Sequence, residues 1–303
     1  LLAALVAQPA GIRAAVAAAA AGDATAAAAE LERRGHALVA SATGLRLRCA
    51  GQHFDPARFE AARRGALGAP LEVWETASST NDLARAGAEG GAAAGAVWLA
   101  EEQARGRGRQ GRTWSCRPHA GLLCSFVVRA PLDSTARPTL LPLAVGLGAC
   151  EALRQASGAA VRTKWPNDLW LDGRKLGGVL VEAQGARGRA VVGIGINCDA
   201  AALDAADLPH AAAVPAGVRR EALLAAVLAA IGARIEDWYA ARFAPLHQAW
   251  AELDCVLGAH LRVETASEVL VGRAVAITAA GLLQLELDGG ARRDVAAGEV
   301  HLA

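Results

Sequence analysis

The chain has 303 residues, 53% of them hydrophobic and 20% charged, which makes it too long for one small module and too apolar for intrinsic disorder. Its 31 basic and 30 acidic residues leave a net charge of +1, so no whole-molecule field draws it to nucleic acid or to an anionic membrane. Any anion site has to be local. The uncharged run between Arg137 and Glu151 is shorter than the roughly 18 residues of a spanning helix and is broken by Pro138 and Pro142, so no transmembrane helix is expected. The six cysteines lie far apart without a C-x-x-C pair and read as reduced thiols of a cytoplasmic protein. The opening stretch lacks the basic leading region of a secretory signal, and the absence of methionine even at position 1 points to residues preceding Leu1.

In chain order, residues 1–66 begin with two alanine-rich helical stretches, over 12–21 and 22–35, the second capped by Asp23 or Thr25 and stopped by Gly35. Two alternating runs around Thr43-Gly44 then read as a hairpin, and the order helix, helix, hairpin is that of a winged helix-turn-helix-like module. Residues 67–254 mix strands (LEVWET, AVWLAEEQ, LLCSFVVRA, VRTKW, KLGGVLVEAQ and RAVVGIGIN) with helices over 80–88, 140–156, 221–239 and 245–253. The few residues around Gly185–Gly188 force an antiparallel hairpin and hence a mixed sheet. Residues 255–303 carry short, closely spaced strands, the pattern of a small antiparallel barrel. The fold class is therefore α+β.

Five segments can carry chemistry. Within Arg105–Arg112, four arginines alternate with Gly106, Gly108 and Gly111 directly after a strand. Glycine exposes backbone N–H groups and arginine offers bidentate contacts to phosphate or carboxylate, so the loop suits a nucleotide; a mobile loop that only brushes nucleic acid or solvent is the alternative. Lys164-Trp165-Pro166-Asn167-Asp168 presents an amide and a carboxylate, although Pro-Asn-Asp is also an ordinary turn. Lys175, ahead of Gly177-Gly178, places an ammonium where charge develops on an oxygen, or else serves as a protective edge-strand lysine. Gly193-Ile194-Gly195-Ile196-Asn197 lacks the third glycine of a dinucleotide fingerprint; its glycines suit close approach of a flat ligand, with Asn197 on a base edge. Ser78–Asp82 sits at a strand-to-helix junction and reads as a cap that also suits a polar ligand head. The scattered histidines offer no Ser/His/Asp arrangement, so covalent catalysis by a side chain is disfavoured.

Taken together, Ser79-Thr80-Asn81, Gln103, Gly106 to Trp114, Lys164 to Asp168, Lys175 to Glu182 and Gly193 to Asn197 resemble the biotin–protein ligase family, and the length is similar to its bifunctional bacterial form, in which the ligase is fused to the biotin operon repressor. The resemblance implies a class II synthetase-like catalytic domain over 67–254 and an SH3-like barrel over 255–303. It implies ATP and Mg²⁺ with biotin as substrate, no prosthetic group, and the biotin carboxyl carrier protein of acetyl-CoA carboxylase as acceptor. It places Ser79, Thr80, Asn81, Gln103, Arg107, Gly108, Arg109 and Lys175 on biotin, and Arg109, Trp114, Asn167, Asp168 and Asn197 on the nucleotide. The resemblance likewise makes Arg109 and Lys175 the catalytic pair, packs Trp165 against ligand or loop, and implies no tightly bound metal beyond Mg²⁺ near Asn167 and Asp168.

The family pattern also implies a monomer or a ligand-linked homodimer joined through a sheet edge, with Gly177–Val181 as candidate edge. The departure lies in Thr25–Ala29, which offers a reading helix almost no base-contacting side chain, and residues 1–70 carry eight basic against five acidic residues. An eroded module is favoured over an operator-binding one. Lipoate–protein ligase and a DNA-binding regulator using biotinyl-adenylate without transfer are the alternatives.

Overall fold

The structure, a computed structural model, describes residues 38–41, 44–47, 53–129, 138–183, 189–203, 208 and 210–302. The two N-terminal helices expected over 12–21 and 22–35 lie outside the described residues. The hairpin that follows them forms: β1 (Leu38–Ser41) pairs antiparallel with β2 (Gly44–Leu47), Leu38 opposite Leu47. Next comes a short helix that the periodicity did not suggest, α1 (Pro56–Ala62). Its signal is local: Asp55 accepts from the Ala57 N–H at 2.9 Å, and Pro56 occupies the first turn where its missing N–H costs nothing.

The centre is a seven-stranded mixed sheet in the order β3-β4-β5-β9-β8-β7-β6. Its strands are β3 (Leu71–Ala77), β4 (Val97–Gln103), β5 (Gly121–Arg129), β6 (Arg162–Lys164), β7 (Asp168–Leu171), β8 (Arg174–Ala183) and β9 (Arg189–Asn197). Only β3 and β4 run parallel, joined through α2 (Thr80–Glu89), and the expected β8–β9 hairpin pairs Val179 with Ile194. One expectation is corrected in part. Gly177 and Gly178 are not a sheet edge, because they pair with β7 on one side and β9 on the other, whereas the β7 register ends at Gly178 and Leu180 and Val181 pair with β9 alone; the outermost strands are β3 and β6. The same pairing removes the reading of Lys175 as an edge-strand lysine.

Alternation along the strands gives the sheet two unlike faces. Leu122, Cys124, Phe126 and Val128 of β5 and Val192, Ile194 and Ile196 of β9 belong to one apolar core with α3 (Leu141–Ser157), α4 (Arg220–Tyr239) and α5 (Phe243–Leu253). Helices α3 and α4 touch through Gly148, where a Cβ would come within 2.8 Å of the Ile231 backbone. The opposite face carries Ser125, Gly193 and Gly195.

The C-terminal sheet is antiparallel throughout, in the order β13-β12-β11-β10-β14, with β10 (His260–Glu264), β11 (Val269–Ile277), β12 (Leu283–Leu287), β13 (Arg292–Val295) and β14 (Glu299–Leu302). Leu261, Val263, Leu283 and Leu285 join the same core as the central sheet. Two polar ties fix the join. Trp165 Nε1 donates to the Gly281 carbonyl at 3.1 Å, and the Asp254 carboxylate accepts backbone N–H groups from Trp165, Val256 and Leu257. Among the described residues no helix is long and apolar enough to cross a membrane. Cys116, Cys124, Cys150, Cys198 and Cys255 are free thiols; burial pushes Cys124 up to about 12, which leaves it unreactive.

Candidate active site

The polar face of the central sheet opens into a cavity of about 650 Å³, within the range of small-molecule sites. Ser79, Thr80, Asn81, Gln103, Arg107, Gly108, Arg109, Trp114, Asn167, Asp168 and Lys175 all line it, together with Trp165, Gly193 and Gly195. Four of the five segments singled out from sequence therefore meet through their polar side chains, although up to about a hundred residues separate them along the chain.

One end is a cluster of amides and hydroxyls at the N-terminus of α2. Gln103 Oε1 accepts the Thr80 N–H at 2.8 Å and lies 3.2 Å from Thr80 Oγ1. The capping expected within Ser78–Asp82, by Ser79 or Thr80, is thus replaced: Ser79 holds the cap position without a side-chain capping bond, and Gln103 from β4 satisfies the orphan donor. Ser125, fully buried on β5, lies 2.7 Å from Thr80 Oγ1 and 2.6 Å from Asn81 Oδ1, so its hydroxyl group bridges the two. Asn81 Nδ2 donates to Glu182 at 2.9 Å. A Cβ on Gly193 would overlap Asn81 Oδ1, which is why the strand carries glycine there.

The other end is cationic. The Arg105–Trp114 loop closes as a small hairpin through the Gly108 N–H on the Arg112 carbonyl (2.7 Å) and the Trp114 N–H on Gly106 (3.0 Å), with Gln110 and Gly111 at positive φ at its tip. Arg107 grips Asp82 with both terminal nitrogens at 2.9 and 2.8 Å and reaches Glu182 at 3.3 Å. That hydrogen bonding raises the Arg107 pKa and holds Asp82 below the usual carboxylate range. Arg112 pairs with Glu299 of β14 at 2.8 Å, and Lys175 Nζ is 2.7 Å from Asp168 Oδ1.

Arg109 differs from these. Its Nη1 donates to a neutral amide, Asn167 Oδ1, at 3.0 Å, and burial lowers its pKa. Among the described residues no carboxylate lies within ion-pair distance of it. Lys164, whose Nζ is 3.9 Å above the Trp170 ring, is likewise pulled down by burial, with Asp168 opposing.

Several residues sit differently from the sequence reading. Asn167 holds Arg109 with its oxygen and donates its Nδ2 to the Val179 carbonyl at 2.7 Å, which makes it a positioning residue. Of the pair proposed for Mg²⁺, Asp168 Oδ2 is the oxygen that takes no hydrogen bond from the described residues, so the fit to Mg²⁺ rests on that carboxylate. The flat group lying over Gly195 is the indole of Trp114, where a Cβ would come within 2.5 Å of Cε2. Asn197 is the exception among the eleven side chains and one glycine named. It does not line the cavity; it is 5% exposed, donates to the Ala212 carbonyl at 3.0 Å and so pins the segment after β9.

Ser125, Trp170 and, from β14, Glu299 lie outside the segments that the sequence singles out, while Arg112, Lys164 and Glu182 lie within those segments but had no role of their own. Ser125 was hidden inside an apolar strand run. Glu299 had no signal, because nothing local says that the C-terminal sheet turns its last strand toward this cavity.

The match to known families follows this geometry. Residues 74–200 match the model of the Biotin/lipoate A/B protein ligase family and residues 256–302 that of the Biotin protein ligase C terminal domain, which sets the class as a protein ligase. A Biotin–[acetyl-CoA-carboxylase] ligase of Paracoccus denitrificans is 34% identical over 224 residues, covering 68% of this chain and 90% of that protein. The Bifunctional ligase/repressor BirA of Escherichia coli is 33% identical over 202 residues, covering 64% of this chain and 63% of that one. Among solved structures, the Biotin protein ligase from Aquifex aeolicus in complex with biotin and ATP shares the fold at a TM-score of 0.65 and 24% identity, covering 77% of this chain and 98% of that one. The chain belongs to the biotin–protein ligase family.

Proposed function

We propose that the protein activates biotin with ATP and transfers it to a lysine of a biotin carboxyl carrier protein. In the first step a biotin carboxylate oxygen bonds to the α-phosphorus of ATP and pyrophosphate leaves; in the second a carrier lysine amine bonds to the acyl carbon and AMP leaves. The chemistry asks for charge neutralisation and alignment, not for a protein nucleophile. The observation that carries this reading is Arg109: a half-buried guanidinium facing the cavity against a neutral amide, with its charge left for an incoming anion. Trp114 walls the cavity, Lys175 sits 5.7 Å from its ring, and the Ser79–Asn81, Gln103 and Ser125 cluster supplies the donors and acceptors that a cyclic urea requires. Magnesium accompanies ATP near Asp168.

The proposed organisation is a winged helix-turn-helix-like module over 1–66, a class II synthetase-like catalytic domain over 67–254 and an SH3-like barrel over 255–303. The protein is taken to be cytoplasmic, a monomer or a ligand-linked homodimer, with the N-terminal module eroded as a DNA reader. The test is incubation with ATP, Mg²⁺, biotin and a carrier domain, followed by intact mass. One biotinyl group on one carrier lysine is expected. Transfer of lipoate in its place, or adenylate formation with no transfer to the carrier, would reject this assignment.

A further inference from the structure

On the helical face of the sheet, outside the cavity lining, lies a second group of chemistry-bearing side chains that the ligase reaction does not use. The parallel register of β3 and β4, with Trp74 beside Ala100 and Thr76 beside Glu102, makes Glu75 and Glu101 lateral neighbours. The turn before β5 brings His119 over them through its N–H on the Glu101 carbonyl (3.2 Å), and the chain entering α1 brings His53. The two imidazoles meet edge to face with centroids 4.6 Å apart.

Their nitrogens divide into two pairs. His53 Nδ1 lies 3.1 Å and His119 Nε2 3.3 Å from the two oxygens of the Glu75 carboxylate. A neutral imidazole donating one N–H to a carboxylate carries a lone pair on its other nitrogen. Those other nitrogens, His53 Nε2 and His119 Nδ1, are shielded from solvent and make no hydrogen bond. What lies beside them is a second carboxylate: His119 Nδ1 is 3.5 Å from Glu101 Oε2, and one donor atom each of His53, Glu101 and His119 lies within 4.8 Å of the other two. Two shielded ring nitrogens without a partner leave polar groups unsatisfied beside a buried carboxylate, and charging both rings would set two cations side by side next to Arg220.

A cation between them resolves both problems. We propose that His53, His119 and Glu101 form a binding site for a divalent first-row transition ion, with Zn²⁺ as the ion of first choice for this nitrogen and oxygen donor set. Metal-ligating histidines characteristically donate their remaining N–H to a carboxylate, the part played by Glu75, and ligating carboxylates are themselves hydrogen-bonded. Glu101 is held in that way by Arg220 Nη1 at 2.6 Å and by the Phe54 N–H at 2.5 Å. With neutral imidazoles the group of Glu75, Glu101 and Arg220 carries one net negative charge, which favours a dication. Tetrahedral zinc distances of about 2.0–2.2 Å place donor atoms roughly 3.3–3.6 Å apart, and His119 Nδ1 and Glu101 Oε2, at 3.5 Å, already stand at that spacing. Three protein ligands leave the fourth position to water. The ion would clamp residue 53 and α1 onto the first two strands of the catalytic sheet.

The experiment uses the full chain, stripped with a chelator and loaded with Zn²⁺ in the absence of ATP. The expected result is one zinc retained through gel filtration, measured by elemental analysis, with a raised melting temperature. His53→Ala and His119→Ala each abolish retention, Glu75→Gln weakens it about 10- to 100-fold, and Asp168→Asn and His301→Ala retain it, which separates the site from the cavity carboxylate and from the exposed Glu264, Glu299 and His301 group. Zinc K-edge absorption of the wild-type protein should show two imidazole ligands, and this decides the matter if the alanine variants do not fold. A wild-type protein that leaves the column without zinc, a double His53→Ala, His119→Ala variant that keeps it, or an absorption spectrum without imidazole would overturn the proposal.

Discussion

Strand β5 carries both faces of the central sheet within nine residues, and the two could hardly differ more. Leu122, Cys124, Phe126 and Val128 alternate into a core closed by three helices, where stability comes from excluded water and close packing. Between them Ser125, equally buried, turns the other way and holds Thr80 and Asn81 at the cavity. The faces also treat carboxylates differently. On the cavity side Asp82 has Arg107 and stays ionised to low pH, whereas in the core Asp254 is held mainly by backbone N–H groups and burial pushes it up to about 6. One face is thus built to keep a single packed state, and the other to keep charges and amides aimed at a space.

That contrast can be broken one residue at a time. Phe126→Ala, on the apolar face, is expected to cost about 3–5 kcal/mol of stability in chemical denaturation, with turnover per folded molecule little changed. Lys175→Ala, on the polar face, should do the reverse: biotin-dependent ATP–pyrophosphate exchange falls by about 10²- to 10³-fold while the melting temperature moves little, since the Lys175–Asp168 pair is partly exposed.

Asp254 supplies a pH test. Its folded pKa of about 6 lies above the ordinary 3.8, so the folded chain holds a proton that the unfolded chain releases. Its contribution is complete below about pH 4 and is lost as pH rises through 6, a change of about 3 kcal/mol by linkage. The difference in stability between wild type and Asp254→Asn, followed by denaturation from pH 4 to 7, should carry that slope. A pH-independent difference would mean that Asp254 is ionised in the fold throughout. The smallest effect is expected from Ser125→Ala, about 1–3 kcal/mol, measured mainly as a raised KM for biotin because Asn81 loses its support.

Much of the polar face was legible because its signals are short-range. Glycines alternating with arginines, a Pro-Asn-Asp turn and a lysine before paired glycines announce anion chemistry wherever the chain carries them. What was not legible depends on pairing between distant strands. Nothing near Gly177 tells that β7 will cover that edge, since β7 is four residues long and its DLWL sequence lies between two turns. The role of Asn197 depends on a carbonyl 15 residues later, and that of Glu299 on a loop 187 residues earlier. Ser125 shows the same limit from the other side: a lone hydroxyl in an apolar run is ambiguous until the opposite face is known.

The central claim is that Arg109, held by Asn167 with its charge uncompensated at short range, aligns the carboxylate and the phosphate that react. It is tested most directly by biotin-dependent ATP–pyrophosphate exchange in Arg109→Ala against the wild-type protein under saturating biotin and ATP. The expected result is robust exchange in the wild type and a loss of about 10²- to 10³-fold in the variant, with unchanged thermal stability. Exchange in Arg109→Ala within a factor of two of wild type would contradict it.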